Sequence, residues 1–147
     1  MSRTRRRREI AAPPERLWAV VADPHHLPRW WPGAERVEDA SPEEWTLVLR
    51  SGRGKAVRAD FTMVESDPPE RLCWRQELEA TPVERFLAES VTEIRLEPGG
   101  KGGATRVQLS LSQRLRGWAR VGGFLFRGAS KRRLDAALVN LDNATAG

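Results

Sequence analysis

The stretch GWARVGGFLFRGASKRRLDAALVNLDN, from Gly117 to Asn143, constrains the fold most. It is the one run long enough and periodic enough for a helix of many turns. Phe124, Arg127, Lys131, Leu134, Leu138 and Leu141 recur at steps of three and four, flanked by Val121, Leu125, Ala129 and Val139. That spacing lays a broad apolar stripe along a helix. At about 1.5 Å per residue the helix would be roughly 40 Å long. The rest of the chain has to cover that stripe.

What precedes it reads as the cover. Thr4 to Ala11 read as a first strand entered from a basic arm. Pro13-Pro14-Glu15 opens a short helix carrying Leu17, Trp18, Val20 and Val21, since proline and an acid both suit a first turn. Asp23 caps a second short helix that runs from Pro24 through His25, His26 and Leu27 to Trp30-Trp31, where Pro32-Gly33 stop it. From Ala34 the period changes to two. A short strand around Val37 is followed by inward sets Trp45/Leu47/Leu49, Val57/Ala59/Phe61/Met63, Leu72/Trp74/Gln76/Leu78, Ser90/Thr92/Ile94/Leu96 and Thr105/Val107/Leu109/Leu111. Turns at 51–54, 67–70, 81–82 and 98–103 carry the glycines and prolines that hairpins need. Strands joined this way form an antiparallel meander with one apolar face.

A chain of 147 residues is one ordinary domain and buries about 68–70% of its unfolded surface. The whole of 1–147 is read as that domain, with 1–3 and 144–147 expected to be flexible at its ends. No run approaches the ~20 apolar residues of a membrane span. The N-terminus MSRTRRRREI has no apolar core behind its bases, so it does not read as a secretory signal. Cys73 is the single cysteine, which rules out an internal disulfide and fits a reducing, cytoplasmic setting. Charge is uneven. Five arginines among the first eight residues equal the net charge of +5. Between Glu97 and Asp135 lie nine Lys or Arg and no acid, whereas Asp60 to Glu97 holds ten acids against four bases. A basic arm and helix opposite an acidic sheet would suit an acidic partner surface, or merely a solvated helix face.

The order strand, two short helices, six strands, long helix resembles the helix-grip fold of the START-related (SRPBCC) superfamily. The segments IAAPPERLWAVVADPHHLPRWWPG, SDPPERLCWR, GGATRVQLSLS and GGFLFRGASKRRLDAALVNL are similar to its bacterial polyketide cyclase/dehydrase branch. The resemblance implies an α+β fold, with a curved antiparallel sheet of about seven strands wrapped around the long C-terminal helix. It also implies a cavity between sheet and helix. Its apolar candidates are Trp30, Trp31, Trp45, Phe61, Trp74, Phe86, Trp118 and Phe124, and its polar candidates are Arg58, Gln76, Glu89, Ser90, Thr92 and Arg127.

Six tryptophans and no tyrosine favour stacking on a flat apolar ligand, or a core filled by wide rings. Trp30 and Trp31 are neighbours and cannot both face the core of a short helix, so one faces the cavity mouth or solvent. Adjacent His25 and His26 point about 100° apart on a helix and do not share a metal, so no metal and no cofactor are expected. His26 stays open as a general base. Cys73 reads as a structural thiol. Glu89 and Arg127, if inward, form a structural pair or a ligand anchor.

Three functions follow. The first is binding of a hydrophobic, aromatic or lipid-like small molecule in the cavity. The second is a polyketide cyclase/dehydratase-type enzyme, whose catalytic residues the chain does not name and whose hydroxyls would have to be Ser or Thr. The third is interaction of the basic helix and arm with RNA or anionic lipid. The arm lacks the interleaved aromatics of single-strand RNA binders, which disfavours nucleic acid and leaves an anionic membrane surface open. Monomer and homodimer both remain open.

Overall fold

Alternation of apolar and charged residues sets the strands, and their pairing sets one sheet. The computed structural model describes residues 2–120 and 123–146, and of 118, 119 and 123–126 the backbone alone. The strands are β1 (Ser2–Ile10), β2 (Ala34–Glu38), β3 (Glu44–Arg50), β4 (Ala56–Asp67), β5 (Arg71–Glu77), β6 (Leu87–Pro98) and β7 (Thr105–Leu115). They form one antiparallel sheet in the order β1-β7-β6-β5-β4-β3-β2. The chain makes β1, crosses to the far edge through two short helices, and returns as a meander until β7 lies beside β1.

Those helices are α1 (Pro14–Val21) and α2 (Leu27–Trp30), joined by a 3-10 turn over Pro24–His26. The second helix therefore starts later than the sequence suggests. Asp23 accepts the backbone N–H of His25 at 3.0 Å, and the chain takes a tighter turn there before α2 forms. The long helix is likewise shorter than its sequence span. A 3-10 turn occupies Gly117–Arg120, and α3 runs from Gly123 to Thr145.

Register shifts in β2 (Ala34/Arg36), β4 (Met63/Glu65) and β6 (Leu87/Glu89) insert extra residues that bend each strand. In β4 the extra residue is Val64, which is 51% exposed. The strict alternation read from sequence ends there, and Glu65 takes its place opposite Cys73.

The face toward the helices is apolar. Ile10, Leu72, Ile94, Leu96, Val107 and Leu109 pack with Leu134, Ala137, Leu138 and Leu141 of α3, all nearly solvent-free. Each fully buried leucine contributes about 1.5–3 kcal/mol. Among the described side chains of α3, Ser130, Leu134, Ala137, Leu138 and Leu141 are buried, whereas Arg127 and Lys131 of the predicted stripe are exposed. β1 is held to α3 by ion pairs, Arg6 to Asp135 at 2.7 Å and Arg8 to Asp142 at 2.9 Å.

The convex face is a lattice of charges. Arg71 lies between Glu65 and Glu93, and Arg95 reaches Glu93 at 2.8 Å. Long side chains of this kind cover what lies beneath them. Cys73, opposite Glu65 and Glu93, is only 7% exposed.

Candidate functional site

The concave face divides into a sealed part and an open part. Along β7 and the end of β6 the inward residues Val107, Leu109, Ile94 and Leu96 are sealed, as are Thr4 and Ile10 of β1. Along β3, β4 and β5 several are not. In β3, Trp45 and Leu47 are buried at 3% and 1%, yet Leu49, two residues further on the same face, is half-buried. Phe61 and Met63 of β4 and Trp31 after α2 are also half-buried and pack on the core. These are apolar side chains that face inward but keep solvent contact.

Behind them lies an aromatic cluster, assembled by register. Phe61 pairs with Trp45 on one side and Gln76 on the other, and Met63 pairs with Trp74. Trp45 stacks on Phe61 with centroids 5.9 Å apart and planes 14° apart. Trp74 is the hub. It meets Trp45 at 5.8 Å, Trp31 at 6.0 Å and Trp30 at 6.4 Å, each edge-on, and Trp30 meets Trp31 at 5.5 Å. Edge-to-face pairs of this sort add about 0.5–1.5 kcal/mol each beyond area burial. Trp30, Trp45 and Trp74 form a sealed base, and Trp31 and Phe61 form its open edge. Among the described residues, Trp30 Nε1 and Trp45 Nε1 are the buried side-chain polar atoms without a hydrogen-bond partner.

The structure thus brings together Trp30, Trp31, Trp45, Phe61 and Trp74 of the predicted lining. It places Phe86, Glu89 and Arg127 apart. Phe86 is 44% exposed in the turn before β6, and its carbonyl accepts the N–H of Arg116. Glu89 is paired by register with Arg114, and their side chains lie 3.5 Å apart on the convex side. Arg127 is exposed on α3. The side chains of Trp118 and Phe124 lie outside the described residues. Of the further polar candidates, Ser90 and Thr92 are buried on the concave side at 6% and 4%, and Gln76 is half-buried there. Arg58 is a correction: it lies opposite Val48, is exposed on the convex face, and pairs with Glu38. Burying its charge among the rings without a partner would be costly. Leu49 and Met63 were missed as lining residues, although they share the alternation of Trp45 and Phe61.

Asp23 and the two histidines are engaged locally. The Asp23 carboxyl is pushed up by burial, but hydrogen bonds from His25 and the nearby imidazoles hold it below its ordinary value. His25 Nδ1 lies 3.0 Å from Asp23 Oδ1, and His26 Nδ1 lies 3.2 Å from the Ala19 carbonyl. Burial pushes the Cys73 thiol up, which makes a poor nucleophile. Among the described residues no group of three His, Cys, Asp or Glu is placed to hold a metal ion, and no helix is long and apolar enough to cross a membrane.

Known proteins share part of the sequence or the fold. An uncharacterized protein of Mycobacterium tuberculosis (strain H37Rv) is 31% identical over 122 residues, which is 81% of this chain and 70% of that protein. A conserved protein from Geobacillus kaustophilus superposes with a TM-score of 0.80 at 17% identity, covering 98% of this chain and 95% of that one. The di-domain ARO/CYC protein BexL superposes with a TM-score of 0.80 at 21% identity, covering 97% of this chain and 46% of that one. The chain also matches the family described as polyketide cyclase / dehydrase and lipid transport over residues 1–145. Its seven-stranded helix-grip sheet, long C-terminal helix and end-to-end match mean that this chain belongs to the polyketide cyclase / dehydrase and lipid transport family.

Proposed function

We propose that the protein binds a hydrophobic, flat aromatic or lipid-like small molecule against the wall formed by Trp31, Leu49, Phe61 and Met63, between the sheet and α3. One observation carries the reading: inward apolar residues of β3 and β4 keep solvent contact while their neighbours on the same face are sealed. Membership of a family whose description joins cyclases to lipid transport supports a hydrophobic ligand. A wall of half-buried rings and methyls gains free energy when an apolar molecule displaces water from it, at about 25 cal/mol per Å² covered. Binding is favoured over turnover because Glu89 and Arg58 are engaged on the convex face by Arg114 and Glu38 rather than converging on the rings.

The test is native mass spectrometry of freshly purified protein, followed by denaturing extraction. The expected result is a stoichiometric apolar adduct released on unfolding, or saturable uptake of an added apolar dye by protein that arrives bare. Bare protein that takes up no dye would contradict the reading.

A further inference from the structure

The ring cluster carries two hydrogen-bond donors with no acceptor among the described residues. Trp30 is 0% exposed and Trp45 is 3% exposed, and neither indole N–H finds an acceptor among the described residues. A buried indole ordinarily has a partner for its N–H. A phenylalanine would fill an apolar core without that penalty, so two such donors around one hub call for an explanation. Both rings lie against Trp74, at 6.4 Å and 5.8 Å, on the side of the sheet that carries the open wall.

We propose that Trp30 and Trp45 are a two-donor recognition point for an oxygen acceptor on an otherwise apolar ligand. The inference rests on the cavity reading above and narrows its ligand to flat ring systems bearing a ketone, quinone or carboxylate oxygen. An oxygen accepts from either indole, and two oxygens on one ring system accept from one each. Neither nitrogen is open to solvent, so the acceptor arrives with the ligand and not from bulk water. The half-buried Trp31, edge-on to both Trp30 and Trp74, is the ring that yields to admit it. Hydrocarbons leave both donors unpaired, and ammonium groups bring only more donors.

The experiment compares 9-fluorenone with fluorene, which have the same shape and differ in one carbonyl, as competitors of 1-anilinonaphthalene-8-sulfonate. A purely apolar hollow prefers fluorene, because the ketone loses its hydration on entry. The expected result is the reverse, with fluorenone at least tenfold more potent. In ¹⁵N-labelled protein, fluorenone should also move the indole N–H signals of Trp30 and Trp45 and leave that of Trp18 in place. Trp30→Phe and Trp45→Phe should each reduce the preference. Equal potency, a preference for fluorene, or unmoved Trp30 and Trp45 signals would overturn this inference alone. Displacement by neither compound would overturn the cavity reading and this inference with it. The resonance measurement uses the unmodified protein, so it decides the matter even where a Trp→Phe variant does not fold.

Discussion

Leu47 and Leu49 offer a comparison within one strand. Both belong to β3, both point to the concave side, and both are leucine. Leu47 is 1% exposed, opposite Ala59 on β4 and Val37 on β2. Leu49 is half-buried. Truncating Leu47 to alanine removes a fully buried side chain and leaves a void that the sheet cannot close. The transfer and cavity contributions together cost about 3–4 kcal/mol. Truncating Leu49 enlarges a space that already meets solvent. It adds little cavity cost and loses part of the transfer gain, about 1 kcal/mol. For a domain of this size 1 kcal/mol moves Tm by about 2–4 °C. Leu47→Ala should therefore lower Tm by about 6–16 °C and Leu49→Ala by about 2–4 °C. Urea unfolding followed by far-UV circular dichroism and by tryptophan fluorescence gives both free energies and checks that the two probes coincide. Equal costs for the two variants would refute the reasoning, because Leu49 would then be packed on all sides and the wall would not be open.

Other expectations follow from the convex face and from β1. Burial alone would raise the Glu93 carboxyl, but hydrogen bonds from Arg95 and Arg71 hold it below the ordinary glutamate value. A depressed carboxylate stabilises the fold above its unfolded value, about 4.3, and that contribution is lost as pH falls through the folded value. Glu93→Gln should thus cost about 1–2 kcal/mol near neutral pH, and urea titrations should show the difference shrink as pH falls below the ordinary glutamate value of about 4.3. Cys73, buried with its thiol pushed up, should resist iodoacetamide at neutral pH and react on unfolding, as intact mass would show. The Arg6–Asp135 pair has side chains 41% and 46% exposed. A double-mutant cycle should therefore give a weak coupling that shrinks further in salt.

Much of the fold was legible because period-two alternation and turn residues are local signals. The pairs Trp45/Phe61 and Met63/Trp74 follow from strands in sequence order joined by short turns, and they carry most of the ring cluster. What was not legible depends on geometry between distant segments. The bulge at Val64 moves Glu65 into register, and no local pattern announces it. Glu89 was weighed with Arg127, but register sets it beside Arg114. The sequence leaves the basic arm and helix open between a surface for an acidic partner and a solvated face; in the structure Arg6 and Arg8 face α3 and meet Asp135 and Asp142, more than a hundred residues away. Leu49 was seen as an inward leucine like Leu47. Only the assembled sheet and helices separate a wall position from a core position.

An apolar ligand held against the open part of the concave face would touch a natural probe. The chain has two methionines, Met1 and Met63, and Met63 sits on that wall opposite Trp74. With ¹³C-methyl methionine the protein gives two methyl signals, distinguished by Met63→Leu. The measurement is titration with 1-anilinonaphthalene-8-sulfonate. The account predicts that the Met63 signal shifts saturably, moved by the ring current of the bound dye, with the same midpoint as the dye's fluorescence. A fluorescence rise with a stationary Met63 signal would place the dye elsewhere and contradict the account.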